Sequence, residues 1–309
     1  MTSTGTAEVR VSAPAKINLC LGVGPVREDG YHPLATVYQA VGLYDEIVLR
    51  PADGPDLTVS GDGVDITDVP LDTSNLVLRA VRLLAEHHDD DFDVAVHIRK
   101  RIPVAGGLAG GSADAAAALV GADTLFGLHT PREELLQLAA QLGSDVPFCL
   151  LGGTAMGSGR GELVTPVMTR GEYWWVIVPD SGGLSTPAVY REFDRLNAGR
   201  RVPEPEVPDA LLAGLRAGDA EQLGAALEND LQPAALSFRP DLTDLLAAGR
   251  MGSAHGALVS GSGPTTVFLC DSPAHAQRVD QALQFDYGTE PALVVKGPVH
   301  GARVVGAHR

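Results

Sequence analysis

The order of apolar and polar residues in the first third of the chain predicts strands on either side of a helix. The segment VRVSAPAKINLCLGVG, residues 9–24, alternates apolar and polar side chains, which is the period of a strand. The segment TSNLVLRAVRLLAEHH, residues 73–88, has apolar residues at helical spacing, with Thr73 or Ser74 as the expected N-cap. The segment FDVAVHIRKRIP, residues 92–103, returns to strand alternation and stops at its proline.

Two more helices are predicted before the middle of the chain. In PVAGGLAGGSADAAAAL, residues 103–119, glycines precede an alanine-rich run, which predicts a helix that Ser112 can cap. In TPREELLQLAAQLG, residues 130–143, Thr130 is the predicted cap and the last glycine ends the helix.

The second half of the chain again mixes strands and helices. The predicted strands are YWWVIVP (residues 173–179), the two arms of GALVSGSGPTTVFLC (residues 256–270) and ALVVKGPV (residues 292–299). The predicted helices are STPAVYREFDRL (residues 185–196) and SPAHAQRVDQALQ (residues 272–284). Neither half has the regular strand–helix–strand repeat of a parallel sheet. The pattern therefore predicts an α+β fold with two domains, residues 1–165 and 166–309.

Composition limits the classes of function. The 309 residues carry a formal net charge of −16, which disfavours nucleic acid and anionic lipid as partners and requires a local site for any anionic ligand. No apolar run reaches the length of a membrane span, and the first residues lack the pattern of a secretory signal. Cys20, Cys149 and Cys270 have no disulfide-scaffold or zinc-site spacing, which favours a reducing, cytoplasmic setting. The oligomeric state is left open.

Four glycines, Gly106, Gly107, Gly110 and Gly111, stand directly ahead of the alanine-rich helix. The first turn of a helix has unpaired N–H groups and the positive end of the helix dipole, and glycines let a phosphate approach these groups. The alternative is a tight turn that packs the helix on its strand, for which two glycines suffice. The loop lacks the Gly-Lys-Ser/Thr ending of a Walker A loop and the G-x-G-x-x-G spacing of a dinucleotide fold.

Three motifs resemble those of the GHMP kinase family. They are the glycine loop from Pro103 to Ser112, SAPAKINLCLGVG from Ser12 to Gly24, and VSGSGPTTVF from Val259 to Phe268. The resemblance implies a two-domain fold with an N-terminal ATP-binding domain, a C-terminal ferredoxin-like domain and an active site in the cleft between them. It also implies a small-molecule kinase that uses ATP with Mg²⁺.

The resemblance also indicates the residues that contact ATP. Related enzymes contact the adenine side at the positions of Asn75 and Lys100, and Ser112 is a candidate ligand for Mg²⁺ or a phosphate oxygen. Asp114, in the first helical turn, is expected to be structural. The expected ATP-binding residues are Pro103, Val104, Ala105, Gly106, Gly107, Leu108, Ala109, Gly110, Gly111, Ser112, Ala113, Asn75 and Lys100.

Two further motifs resemble one branch of the family. REDGYHPL, which contains Gly30–His32, and LGSDVPF, which contains Gly143–Phe148, are similar to kinases of the non-mevalonate isoprenoid pathway. These enzymes phosphorylate the 2-hydroxyl of 4-diphosphocytidyl-2-C-methyl-D-erythritol, so the implied partner is a small diphosphocytidyl substrate. Homoserine and mevalonate-pathway kinases share the glycine loop without this pair of motifs, and a kinase of that type is the alternative.

The resemblance makes Lys16 and Asp145 the expected catalytic pair. Asp145 lies between Gly143 and Pro147 in a constrained turn, where the alternative role is an ordinary helix cap. Lys16 interrupts an apolar strand, where the alternative is a surface lysine. In the family these positions face each other. Asp145 is expected to take the proton of the attacking hydroxyl, and Lys16 to keep the carboxylate ionised and stabilise charge on the reacting oxygen.

The expected substrate-binding residues are partly aromatic. Tyr31 is expected to stack on cytosine and His32 to hydrogen-bond its edge, whereas without the resemblance both would be interpreted as core residues. Tyr190 falls where the branch has a second aromatic side chain. Asn18 is expected near the reacting end of the substrate, and Thr186 either contacts the substrate or only begins the helix of Tyr190.

Other classes of protein fit the sequence less well. A serine hydrolase would carry a G-x-S-x-G elbow, which does not occur. The nine histidines are scattered along the chain, which argues against a metalloenzyme. A non-enzymatic member of the fold would be expected to lose Lys16 or Asp145. Ala109 stands where a loop glycine is frequent in the family, a substitution small enough to be compatible with activity.

Overall fold

The structure, a computed structural model, describes residues 7–104, 106–180 and 182–308. The strands are β1 (Glu8–Val23), β2 (Leu34–Ala52), β3 (Asp56–Gly61), β4 (Asp93–Lys100), β5 (Thr154–Ser158), β6 (Leu163–Pro166), β7 (Tyr173–Val178), β8 (Glu228–Asn229), β9 (Gly256–Val259), β10 (Thr266–Cys270), β11 (Leu293–Gly297) and β12 (Arg303–His308). The helices are α1 (Leu76–His87), α2 (Gly110–Phe126), α3 (Arg132–Leu142), α4 (Val146–Leu151), α5 (Thr186–Leu196), α6 (Asp209–Ala217), α7 (Ala220–Ala225), α8 (Gln232–Phe238), α9 (Asp241–Met251) and α10 (Pro273–Ala282), followed by a π-helical turn (Leu283–Tyr287).

The larger sheet is built around β1 and β2, which pair antiparallel along most of their length. Its order is β12-β1-β2-β4-β3, with β8 on β1, β5 on β2 and β6 on β5. The register between β1 and β2 shifts between Pro14 and Ala15 and again between Asn18 and Cys20. Because bulges redirect side chains, these two shifts set the orientation of Lys16 and Asn18.

The alanine-rich α2 packs on the larger sheet and against α1 and α4. It is buried on nearly every side, since its small side chains let neighbouring elements approach closely. In its first turn Gly110 is buried, whereas Gly111 is exposed and Ser112 is half-buried.

The smaller sheet has the order β11-β7-β10-β9, and every neighbouring pair is antiparallel. Helices α9 and α10 pack on this sheet and enclose a second core that includes Val176, Leu246, Phe268 and Val279. The last strand, β12, crosses back to pair with β1. The predicted α+β class is confirmed, and the division into residues 1–165 and 166–309 stays a prediction.

Helix α1 begins one residue later than its predicted cap. Asn75 is the N-cap, and its side-chain oxygen accepts from the Val77 amide at 2.9 Å. Thr73 and Ser74 are therefore the wrong residues for this role. The hydroxyl of Ser74 instead donates to the carboxylate of Asp72, two residues earlier, at 2.5 Å.

Helices α2 and α3 also differ from the prediction at their starts. Ala109, with left-handed backbone, precedes α2, so Ser112 lies inside the first turn and is not the cap. Pro131 precedes α3, and no side chain caps that helix. Thr130, the predicted cap, instead has its hydroxyl 2.8 Å from His88 Nε2, a long-range contact that local pattern does not show.

The three cysteines, Cys20, Cys149 and Cys270, are buried and free. Among the described residues, no helix combines the length and the apolar character needed to cross a membrane.

Candidate active site

A cavity of about 740 Å³ lies between the glycine loop, β1, the start of α5 and the loop after β9. The predicted site residues that line it are Lys16, Asn18, Tyr31, His32, Pro103, Gly106, Gly107, Ala109, Gly110, Gly111, Ser112, Asp145, Thr186 and Tyr190. Val104 is half-buried and is not in the lining, while Leu108 and Ala113 have buried side chains in the core. Ala105 lies outside the described residues.

The glycine loop presents the first turn of α2 to the cavity. The amides of Gly110, Gly111 and Ser112 belong to this turn, where N–H groups have no partner within the helix. The Ala113 amide is already used, because it donates to the Ala109 carbonyl at 2.9 Å. This end of the cavity therefore offers backbone donors and a positive helix dipole to an anion.

Contacts from two other elements fix the glycine loop. The Gly107 carbonyl accepts from Lys16 Nζ at 3.1 Å and from Ser260 Oγ at 3.2 Å. The Lys16 amide donates to the Leu108 carbonyl at 3.1 Å. The loop is thus attached both to β1 and to the loop after β9.

Close packing explains several of the four glycines. A Cβ atom at Gly107 would collide with the Ser260 carbonyl, and this residue also has φ +77°. A Cβ at Gly110 would lie 3.0 Å from Lys100 Nζ, behind the loop rather than on its phosphate side. Gly111 is the exception, since a Cβ there would meet only Leu76 at 3.9 Å. The tight-turn interpretation therefore accounts for part of the cluster.

Lys16 faces Asp145 inside the cavity. Lys16 Nζ lies 3.8 Å from Asp145 Oδ2 and donates to Asn18 Oδ1 at 2.8 Å. The lysine is 5% exposed, whereas the Asp145 side chain is 31% exposed and opens to the cavity. Asp145 precedes α4, but its side chain makes no capping hydrogen bond. Asp145 thus stands at the N-cap position of α4 without the hydrogen bond of an ordinary cap, and its catalytic role stays a prediction.

Two tyrosines stand near Asp145. Burial raises the pKa of the Tyr38 hydroxyl well above its usual value, and the Asp145 charge raises it further. Burial and the same carboxylate also raise the pKa of Tyr190. Both phenols therefore stay protonated at neutral pH.

His32 is held in one orientation at the other end of the cavity. Its Nδ1 lies 2.8 Å from the Gly24 carbonyl, which can only accept, so Nδ1 carries the proton. In neutral imidazole this leaves Nε2 as an acceptor, 3.6 Å from Asp194 Oδ1. The ring packs against Tyr190, with centroids 5.2 Å apart, and edge-on against Phe193. With this tautomer, His32 Nε2 and the Asp194 carboxylate are both hydrogen-bond acceptors.

Tyr31 is 53% exposed at the cavity entrance, so the alternative of a core tyrosine is wrong. The Arg160 guanidinium lies 4.9 Å from the centroid of its ring, a cation–π distance. Arg160 also lies beside Glu162, with Nε 4.0 Å from the carboxylate.

Asn18 and Thr186 are fixed by hydrogen bonds of their own. Asn18 Nδ2 donates to Thr36 Oγ1 at 2.8 Å, which orients the amide oxygen toward Lys16. The Thr186 hydroxyl lies 2.8 Å from Ser262 Oγ and links α5 to the loop after β9.

Lys100 and Asn75, the predicted adenine contacts, do not line the cavity. Lys100 is 2% exposed and donates to Asp45 and, at 2.7 Å, to Asp114. Asn75 caps α1 and donates to the Pro70 carbonyl at 2.7 Å. Both side chains are thus engaged within the fold, and their contact with adenine stays a prediction.

The sequence analysis missed six polar residues of the cavity, which are Tyr38, Ser144, Arg160, Arg191, Asp194 and Ser262. Asp194 follows Tyr190 by four positions, so helical spacing alone could have put it on the same face. Arg160 stands in the glycine-rich segment GSGRG, where no local pattern shows which element it meets.

The residues that could contribute to a Mg²⁺ site are oxygen donors. Ser112 and Asp145 both line the cavity, and Mg²⁺ in nucleotide enzymes is bound by one or two protein oxygens together with phosphates. The donor set thus fits the ion.

Comparison with known proteins gives the family. Residues 75–153 match the model of the GHMP kinases N terminal domain, and residues 211–288 match GHMP kinases C terminal. A 4-diphosphocytidyl-2-C-methyl-D-erythritol kinase from a Nocardioides species is 56% identical over 297 residues, which cover 95% of this chain and 98% of the relative. A protein of the same name from Thermobifida fusca is 54% identical over 303 residues, covering 96% and 98%.

Solved structures agree with the predicted fold. The crystal structure of a 4-(cytidine 5'-diphospho)-2C-methyl-D-erythritol kinase has a TM-score of 0.74 at 32% identity, covering 93% of this chain and 98% of that one. A homoserine kinase from Cytophaga hutchinsonii has the same TM-score at 21% identity, covering 99% of each chain, which bears on the fold alone. The predicted two-domain GHMP kinase fold is confirmed. The chain belongs to the GHMP kinase family and is an ATP-dependent small-molecule kinase.

Proposed function

We propose that this kinase phosphorylates the 2-hydroxyl of 4-diphosphocytidyl-2-C-methyl-D-erythritol, as the names of its relatives suggest, and acts in isoprenoid precursor synthesis. The observation that carries the proposal is one cavity lined by two different groups of side chains. The Lys16–Asp145 pair and the start of α2 form one group, and His32 and Tyr31 form the other. A substrate with a reactive alcohol at one end and a pyrimidine at the other matches this arrangement.

Asp145 is the proposed general base. Its carboxylate opens to the cavity, makes no capping bond and lies 3.8 Å from a lysine ammonium. It would accept the proton of the 2-hydroxyl as the oxygen attacks the γ-phosphate in line. Lys16 would keep the carboxylate ionised and reduce the charge that develops on the reacting oxygen. Asn18, which accepts from Lys16, would fix the direction of the ammonium group.

The first turn of α2 is the proposed phosphate site for ATP. Its free amides would donate to phosphate oxygens, and the remaining ATP contacts predicted from the sequence belong to this proposal. Mg²⁺ supplies charge neutralisation between phosphate oxygens when it is bound. Ser112 is the residue that would hold it.

Cytosine selection follows from the tautomer of His32. Since Nδ1 donates to Gly24, Nε2 and the nearby Asp194 carboxylate are both acceptors. Cytosine presents an exocyclic amino donor, whereas uracil has a carbonyl at the same position, which two acceptors would repel. Tyr31 would stack on the base, and Arg160, over the Tyr31 ring, would supply positive charge to the diphosphate.

The first experiment compares acceptors at fixed ATP and Mg²⁺. We expect phosphate transfer to 4-diphosphocytidyl-2-C-methyl-D-erythritol and much lower kcat/KM for homoserine and mevalonate. Equal or better use of either of these alcohols would contradict the proposal.

The second experiment compares the cytidine substrate with its uridine analogue in wild type, Tyr31→Ala and His32→Ala. Tyr31→Ala should raise KM about 5- to 150-fold, since stacking on a base contributes ~1–3 kcal/mol. It should change kcat less, because the base is remote from the chemistry. His32→Ala should reduce the preference for cytidine. If the wild type uses both substrates equally, the cytosine assignment is wrong.

A further inference from the structure

Two of the scattered histidines meet an aspartate at the far end of the smaller sheet. His255 directly precedes β9, Asp271 directly follows β10, and His275 lies in the first turn of α10. His255 Nε2 is 3.0 Å from Asp271 Oδ2, and His275 Nδ1 is 3.3 Å from Asp271 Oδ1. One ligand atom from each residue can be chosen so that all three lie within 4.8 Å of one another.

These separations match the ligand shell of a small cation. Nitrogen and oxygen ligands about 2.1 Å from a tetrahedral ion are about 3.4 Å apart, close to the 3.3 Å between His275 Nδ1 and Asp271 Oδ1, while His255 faces the other oxygen of the same carboxylate. The three residues come from three different elements and are 16 and 20 positions from His255 along the chain, which explains why sequence spacing did not reveal them.

The hydrogen bonds of His275 fix the orientation of its ring. Its Nε2 lies 2.9 Å from the Ser253 carbonyl, which can only accept, so Nε2 carries a proton. Its Nδ1 faces Asp271, 3.3 Å from the carboxylate and 3.5 Å from the backbone amide of that residue. Nδ1 is therefore the ring nitrogen of His275 that is directed toward the cluster.

A backbone carbonyl that fixes the tautomer of a histidine is also the usual support for a metal ligand. The second ring nitrogen of metal-bound histidine nearly always donates to a carbonyl or carboxylate, which orients the ring and raises its basicity. His275 is 7% exposed in its side chain, so this orientation is set by packing, while Asp271 at 55% leaves an approach from solvent.

We propose that His255, Asp271 and His275 bind a divalent transition-metal ion, Zn²⁺ by their donor set, with water as the fourth ligand. The ion would join the end of the β9–β10 hairpin to the first turn of α10. The loop of this hairpin that faces the active-site cavity is at its opposite end, about 13 Å of strand away. The site is therefore separate from the Mg²⁺ that accompanies ATP.

The test is metal binding by the full chain without an affinity tag. Protein stripped with a chelator is titrated with Zn²⁺ by calorimetry and with Co²⁺ by visible absorption, in the absence of nucleotide. We expect one ion per chain, a tetrahedral Co²⁺ spectrum and a rise in Tm on addition of Zn²⁺. His255→Gln, Asp271→Asn and His275→Gln should each lower the affinity at least about tenfold.

His97→Gln is the matched control. His97 lies on β4 and contacts only hydroxyl groups, with Thr58 Oγ1 at 2.9 Å and Ser60 Oγ at 3.0 Å, so its loss should leave the affinity unchanged. The proposal is overturned if the wild type binds no ion at one-to-one stoichiometry, or if the three ligand variants bind as tightly as the control. Because the measurement does not use turnover, its result is independent of the proposed kinase substrate.

Discussion

The glycine loop has a buried lysine on each side, and the two lysines have opposite surroundings. Lys100, behind the loop, donates to the carboxylates of both Asp45 and Asp114, and all three side chains are buried. Lys16, in front of the loop, has one carboxylate 3.8 Å away, and that carboxylate opens to the cavity. Its other partners are a neutral amide and a carbonyl.

The difference supports a structural role for the Lys100 cluster and the reactive role proposed for Lys16. A buried ammonium with two close carboxylates has its charge compensated within the fold, so breaking the cluster mainly costs stability. The ammonium of Lys16 has fewer charged partners, which fits the proposal that it stabilises charge that develops in the cavity. Two lysines on strands of the same sheet, β1 and β4, thus differ in the partners that surround them.

The largest expected effect is on kcat and is at Asp145, in front of the glycine loop beside Lys16. Asp145→Asn should fold and bind ATP but lose about 10²–10⁴-fold in kcat, because the amide cannot accept the proton. Steady-state kinetics and ATP titration measure the two quantities, with Asp244→Asn on the exposed face of α9 as control. Turnover near that of wild type would remove Asp145 from the mechanism.

On the back side, Lys100→Met should reduce the free energy of unfolding by ~3–5 kcal/mol, because it leaves two carboxylates buried without their cation. Denaturant unfolding measures this, and Arg99→Met, which removes an exposed pair with Asp62, should change little. If both variants unfold alike, the cluster is not a structural one.

The same cluster predicts a dependence of stability on pH. Burial raises the pKa of Asp114 to about 7, although the Lys100 charge opposes the shift. The folded state therefore binds this proton more tightly than the unfolded state, and the associated stability is present below about pH 4 and lost as pH rises through 7. The unfolding free energy of wild type relative to Asp114→Asn should fall by on the order of 2–4 kcal/mol between pH 4 and 7. A constant difference between the two proteins would contradict the assignment.

The smallest expected effect is a change in the free energy of unfolding at Ala109, which precedes the first turn of α2 in the glycine loop. Ala109 has φ +59°, a left-handed conformation that costs a non-glycine residue ~1 kcal/mol. Ala109→Gly should relieve this strain and raise the free energy of unfolding by up to ~1 kcal/mol, with Ala118→Gly inside α2 as a destabilising control. A loss of stability at position 109 as large as at 118 would show that the strain is not relieved.

The sequence predicted the secondary structure and the residues near Lys16, in front of the glycine loop, better than the surroundings of Lys100 behind it. Hydrophobic period and motif order were sufficient for the α+β class and for most of the residues that line the cavity. Lys100 was expected at adenine because its motif position was known, but its two carboxylates come from β2 and α2, which only the folded chain brings together. His32 was expected to face cytosine, yet its tautomer depends on the Gly24 carbonyl, which no local pattern indicates.

The starts of the helices were predicted to within one to three residues. Several small polar residues stand near the start of α1, and the choice among Thr73, Ser74 and Asn75 depends on a competing bond from Ser74 to Asp72. The histidine cluster was missed for a similar reason, since strand pairing and not spacing brings His255 to Asp271.

The most direct test of the account is Lys16→Met, measured for kcat, for ATP dissociation constant and for unfolding free energy in the same preparation. Methionine keeps most of the length of the side chain, one atom shorter than lysine, and removes the charge. The account predicts a loss of at least tenfold in kcat, a modest change in ATP affinity and a smaller loss of stability than in Lys100→Met. A variant that keeps kcat at saturating ATP and loses only nucleotide affinity would contradict the role given to the front lysine.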